Sequence, residues 1–170
     1  MYKRQVPVNG GKAAQITTNA AHDTHPVWSP DGKQIAFASD RMGSMDIFVV
    51  DREGGIPKRL TTHSGNETPV AFKDADHILF LANVMPSAED AQFPSGQFQQ
   101  VYEVSTTGDR PVMFSSMPME DISINKTGNA LLYHDKKGYE DPWRKHHTSS
   151  ITRDIWLCSL DGKRSYRKLT

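Results

Sequence analysis

The stretch "HPVWSPDGKQIAFASDRMGSMDIFVV", residues 25–50, reads as β-strands with turn chemistry before and between them. In "KQIAFASD", Ile35 and Phe37 alternate with Gln34, Ala36 and Ala38. That is the period-two pattern of a strand with two unlike faces. "DIFVV" (46–50) is nearly continuous in β-branched and aromatic residues, as a middle strand buried on both faces should be. Between the runs that flank it, Pro30-Asp31-Gly32 presets a tight turn, because proline fixes φ and glycine accepts a positive one.

Working outward, the stretch is one copy of a repeat. "VDREGGIPKRLT" (50–61) matches "VPVNGGKAAQIT" (6–17) without a gap. "VSTTGDRPVMFS" (104–115) keeps Val104, Gly108 and Phe114, and "DIWLCSLDGKRSYRKLT" (154–170) repeats "DIFVVDREGGIPKRLT" with one added residue. The front half recurs too: "HPVWSPDGKQIAF" (25–37) aligns with "TPVAFKDADHILF" (68–80) and more loosely with "ISINKTGNALLY" (122–133). A period above about 40 residues with four strands per unit is the mark of a β-propeller blade. The chain is therefore expected to be all-β. Residues 1–17 should supply the last two strands of one blade, and 22–62, 64–116 and 118–170 three full ones. Propellers close with roughly four to eight blades, so this is expected to be a partial ring, a piece of a longer protein. An isolated chain of this kind is expected to self-associate through its open blade faces, because uncovered apolar surface forgoes about 25 cal/mol per Å².

The totals narrow the function classes. With 20 basic and 20 acidic side chains in 170 residues, the charges cancel. A nucleic-acid partner, which needs a basic face, is not expected. No apolar run approaches the roughly 20 residues of a spanning helix, so membrane insertion is not expected either. "MYKRQVPVNGGK" (1–12) lacks the apolar core of a secretory signal. The single cysteine, Cys158, lies in the apolar run "DIWLCSLDG" and reads as a small buried hydrophobe. No cofactor is expected.

"PVWSPDGKQIAFASDRMGSMDIFVVDREGGIPKRLT" (26–61) resembles the blade motif of TolB-like propellers, with its Ser-Pro-Asp-Gly turn, Ser-Asp-Arg step and Asp-Ile aromatic strand. "EDISINKTGNALLYHDKKGYEDPWRKHHTSSITRDIW" (120–156) is similar to the N-terminal propeller of bacterial Tricorn-like serine proteases, as is the succession of blades. That resemblance implies a six-bladed ring ahead of further modules, including a serine-peptidase core absent here. It implies a non-catalytic role in guiding or sieving peptides and supporting assembly, with peptides or other modules as partners. The TolB-like alternative is an exported propeller that acts as a protein–protein interaction module without proteolysis. Either resemblance favours a periplasmic or exported location. Two departures stand out: "AFKDADHILF" has a reduced turn, and Arg4-Gln5 interrupts an otherwise apolar strand.

Entries to the first strands place His25, Glu67, Glu120 and Asp121 at the channel mouth, giving an acidic rim suited to basic peptide ends. "HDTH" (22–25) has metal-like spacing but reads better as strand entry, since no further ligands complete a set. Two insertions are read as contacts to partners or neighbouring modules: 83–100, with Met85, Phe93 and Phe98 and with disorder as the rival reading, and 134–153, with Tyr139, Trp143, Arg144, His146 and His147 and with a self-packed Ω-like loop as the rival. A hydrolase built on His146, His147 and Ser149 is disfavoured, because adjacent side chains on an extended segment point apart. Asp40, Arg41 and Asp46 are read as a hairpin lock, with Arg41 bridging.

Overall fold

A computed structural model of the chain describes residues 3–83, 99–135 and 153–170. It falls into two units, Met1–Ser116 and Met117–Thr170. Among the described residues the regular structure is all β: one two-stranded and three four-stranded antiparallel sheets, each ordered as its strands follow in sequence. This is the fold class of a partial propeller built from four-stranded blades.

In the first unit, β1 (Arg4–Gln5) pairs β2 (Ala14–Gln15). The next sheet runs β3 (Asp23–Trp28), β4 (Gln34–Ser39), β5 (Asp46–Asp51), β6 (Lys58–Arg59). The third runs β7 (Glu67–Phe72), β8 (His77–Ala82), β9 (Gln100–Ser105), β10 (Val112–Ser115). The second unit is the sheet β11 (Met119–Ile124), β12 (Ala130–Asp135), β13 (Ile155–Ser159), β14 (Ser165–Lys168).

The two faces of β4 differ in size rather than in exposure. Ile35 and Phe37 join Phe48, Val50 and Ile16, the last from the end of β2, in one buried cluster. Ala36, on the other face, joins Ile47, Val49 and Leu60 against Phe72, Ile78, Phe80, Ala82, Tyr102 and Val104 of the next sheet. The small face of one sheet thus receives the large face of its neighbour, and Ile16 stands to the first cluster as Leu60 does to the second. Phe37–Phe48 and Phe80–Tyr102 stack at 6.0 and 5.7 Å between ring centroids, at matching cross-strand positions. Such pairs contribute about 0.5–1.5 kcal/mol beyond their buried area.

The recurring Leu-Thr ending has a physical role. Thr61 Oγ1 accepts the Ile47 amide at 2.9 Å while the Leu60 amide donates to the Ile47 carbonyl at 2.8 Å. Thr17 holds the Lys3 amide in the same way, with Ile16 donating to Lys3. Thr170 does so for Ile155, with Leu169 donating. In each case the hydroxyl satisfies a strand N–H where the outermost strand leaves the ladder.

A bulge recurs in every first strand. His25 and Pro26 share the place opposite Phe37, Pro69 and Val70 that opposite Phe80, and Asp121 and Ile122 that opposite Tyr133. His25 and Asp121 hold positive φ there, 49° and 51°. The register also corrects the gap-free alignment of 25–37 with 68–80. Trp28 pairs Ile35 across six loop residues, whereas Phe72 pairs Ile78 across five. The reduced turn "KDADH" is one residue shorter, so Glu67 corresponds to Asp23, and Phe72 to Trp28.

The turn after β5 packs on the preceding strand pair, which makes Gly54 a close-approach position. Its φ is +91°, and an added Cβ would lie 3.3 Å from the Ile16 carbonyl oxygen. Backbone strain and backbone crowding act together here. Gly54→Ala is expected to cost about 1–3 kcal/mol in urea unfolding, whereas Gly43→Ala, with φ +113° but open space, should fall at the low end.

Candidate functional site

The Ser29–Lys33 turn is built as its sequence suggests. Ser29 Oγ donates to Asp31 Oδ1 at 2.7 Å, the Gly32 and Lys33 amides close back on Ser29 and Asp31, and Pro30 is exposed. Those hydrogen bonds, from the Ser29 hydroxyl first and the Lys33 amide second, hold the Asp31 carboxyl down at about 2.

Arg41 does not bridge to Asp46. Its guanidinium lies 4.5 Å over the Phe48 ring and 5.3 Å from Phe37, and donates to Asp23 Oδ1 at 2.9 Å and Ser39 Oγ at 2.9 Å. Asp46, fully buried, pairs instead with Arg59 at 2.8 Å. The second unit repeats that pair as Asp154–Lys168 at 2.9 Å. Asp40 accepts the His22 amide at 2.8 Å and faces its ring at 3.1 Å.

The residues assigned to a channel mouth do not share one environment. His25 is exposed, Glu120 pairs Arg153 at 3.1 Å, and exposed Asp121 pairs His134 at 3.0 Å. Glu67 is buried, accepting a hydrogen bond from the Thr61 hydroxyl, close to Asp46 and Arg59. Burial, reinforced by Asp46, pushes its carboxyl up to about 7 against the pull of Thr61 and Arg59. Asp23 and Glu67 are thus equivalent buried acids at the start of successive first strands, one neutralised by Arg41 and the other inclined to keep its proton. Both are enclosed within the first unit, whereas His25 and Asp121 are exposed.

Among the described residues, no three His, Cys, Asp or Glu side chains are grouped to hold a metal. Cys158 is buried, and burial pushes its thiol up. The loop candidates Met85, Phe93, Phe98, Tyr139, Trp143, Arg144, His146 and His147, and Ser149 with them, lie outside the described residues.

What the strand pattern did not single out is an open groove of about 360 Å³ in the first unit. It is lined by the apolar side chains Val6, Pro7, Val8, Ala14 and Trp28, together with Gln5, Lys12 and Arg52. Trp28 is 49% exposed, yet its counterpart Phe72 is 5% exposed. Phe72 packs in one cluster with Ala36, Val49 and Leu60 of the preceding sheet, whereas Trp28 lines the groove together with residues of the 5–14 segment. The signal was available as a tryptophan at the end of a first strand. Proteins bind preferentially through such half-exposed aromatic side chains beside apolar walls.

Comparison with known proteins agrees with this architecture. The chain is 37% identical over 70 residues to Tricorn protease homolog 1 of Streptomyces coelicolor, covering 41% of the chain and 7% of that protein. It is 49% identical over 55 residues to the Tol-Pal system protein TolB of Syntrophus aciditrophicus, covering 32% and 12%. It therefore spans only a small part of these relatives. The crystal structure of TolB from Acinetobacter baumannii superposes with a TM-score of 0.71 at 18% identity, over 99% of this chain and 37% of that one. At that identity the likeness is one of fold. The family described as the Tricorn protease N-terminal beta propeller domain matches residues 5–170, and the chain belongs to it.

Proposed function

We propose that this chain is a non-catalytic protein-interaction module, a propeller segment that docks another polypeptide at the groove beside Trp28. The observation that carries the reading is the half-exposed Trp28, which lines a groove with the apolar Val6, Pro7, Val8 and Ala14. The relationship to TolB supports it, together with an exported, periplasmic setting. A second reading, guidance of peptides toward a peptidase elsewhere in a longer protein, is favoured by the family match.

A photo-crosslinking amino acid placed at Lys12, in the chain expressed in its source cell, separates the two. The module reading expects one discrete adduct, identified by mass spectrometry as an intact protein and reduced at least tenfold by Trp28→Ala. A heterogeneous set of peptide adducts would favour guidance. Absence of any adduct would overturn docking at this groove.

A further inference from the structure

We infer that residues 60–67, which join β6 to β7, form a proton-operated latch: they stay closed on residues 44–47 while Glu67 carries its proton and open locally when the proton leaves. The latch is independent of the docking reading, and no residue lining the Trp28 groove takes part in it.

A set of hydrogen bonds closes this segment and converges on one buried acid. The Leu60 amide donates to the Ile47 carbonyl at 2.8 Å, and the Glu67 amide to the Met45 carbonyl at 2.8 Å. The Met45 amide donates to Asn66 Oδ1 at 3.2 Å, and the Ser44 hydroxyl to the His63 carbonyl at 3.1 Å. Between them the Ile47 amide donates to Thr61 Oγ1 at 2.9 Å, and the Thr61 hydroxyl donates onward to Glu67 Oε2. Glu67 is 1% exposed, so this relay ends on a carboxyl group shut away from water.

What sets this acid apart is a missing cation. Asp23 and Glu67 open equivalent strands, Asp23 opposite Ser39 and Glu67 opposite Ala82. Two residues beyond Ser39 comes Arg41, whose guanidinium holds Asp23 at 2.9 Å, whereas two residues beyond Ala82 the sequence has the uncharged Val84. The strands packed on β7 do not make up the difference. β5 brings Asp46, a like charge that already takes Arg59 of β6 at 2.8 Å. β3 brings Asp23, engaged with Arg41, and the exposed His25. β4 carries no ionisable side chain, and β8 only His77, at its far end beside Asp74. A carboxylate ionised in such a place is strongly disfavoured, and the smallest change that relieves it is to open the local contacts that enclose it. Burial foremost, and Asp46 with it, brings the loss of that proton to about 7.

Amide hydrogen exchange of the full chain, followed by NMR and corrected for intrinsic rates, reads the latch directly. Between about pH 5.5 and 8, the protection of the Ile47, Leu60 and Glu67 amides should fall roughly tenfold or more. Urea up to about 1 M should accelerate those three less than twofold, because local opening exposes little surface. The Phe37 amide, inside the β4–β5 ladder, should be roughly tenfold better protected and should accelerate with urea. Glu67→Gln still offers an oxygen to Thr61 but cannot ionise, so the three amides should keep their protection within about twofold across the same pH range. Thr61→Ser, which keeps the hydroxyl, should keep the parent's pH dependence. Protection that does not change with pH in the parent, exchange of the three amides in step with Phe37 as urea rises, or an unchanged pH dependence in Glu67→Gln would each overturn the latch.

Discussion

Replacement of Arg41 by leucine is expected to remove about 3–5 kcal/mol from the stability of the first unit. Asp23 is 2% exposed and its side chain fully enclosed. One carboxylate oxygen takes the Arg41 guanidinium at 2.9 Å, and the other, Oδ2, has no hydrogen-bond donor. Removing Arg41 leaves a buried charge without its main compensation and strips a cation from the faces of Phe37 and Phe48. Leucine restores some apolar contact but no charge. The Lys3 amine, which Asp23 draws toward the charged form against its own burial, keeps part of the compensation and argues for the lower end of the range. The double variant Asp23→Asn, Arg41→Leu should be more stable than Arg41→Leu alone, because the orphaned charge is gone. Urea unfolding followed by circular dichroism gives both numbers, and the coupling energy of the cycle should exceed about 1 kcal/mol. Additive losses, or a single variant within about 0.5 kcal/mol of the parent, would show that Arg41 is a surface residue that happens to lie near Asp23.

This guanidinium also marks where sequence reasoning reached its limit. "SDR" announced a hairpin lock, and Asp40, Arg41 and Asp46 are each engaged in hydrogen bonds or ion pairs. The partners were not legible, because the arginine stem turns back over two rings to reach Asp23, 18 residues earlier. The strand order was readable because period-two alternation and Gly turns are local. What failed was register across a shortened turn: one residue fewer between Phe72 and Ile78 moves Glu67 onto the position of Asp23. Glu67, read from its place at the entry to a first strand, is a buried acid. The groove escaped notice for a related reason. Trp28 looks like any apolar strand end in the sequence, and its exposure depends on what packs around it rather than on the residue itself.

Glu67 offers the second large effect, and it has a sign opposite to that of an ordinary salt-bridged acid. Its carboxyl stands near 4.5 in the unfolded chain and is pushed up to about 7 in the fold. The folded state therefore binds the proton more tightly, and stability must fall as pH rises. The contribution is complete below about pH 4.5, declines through the interval up to about 7, and is lost above it. That displacement corresponds to about 2–3 kcal/mol. Glu67→Gln keeps the shape and still offers an oxygen to the Thr61 hydroxyl, which in turn holds the Ile47 amide. The variant should match the parent at pH 4.5 and exceed it by about 2 kcal/mol at pH 8, with the slope between them flattened. Arg59 supplies the opposing pull, so Arg59→Met should steepen the parent's slope, while Asp46, once unpaired, lowers stability throughout. Urea unfolding at half-unit intervals from pH 4 to 8 tests all three chains. If Glu67→Gln is less stable than the parent at pH 8, then Glu67 is charged in the fold, held there by Arg59, and the junction between the two sheets is an ion-pair network rather than a carboxylic acid hydrogen-bonded to a threonine.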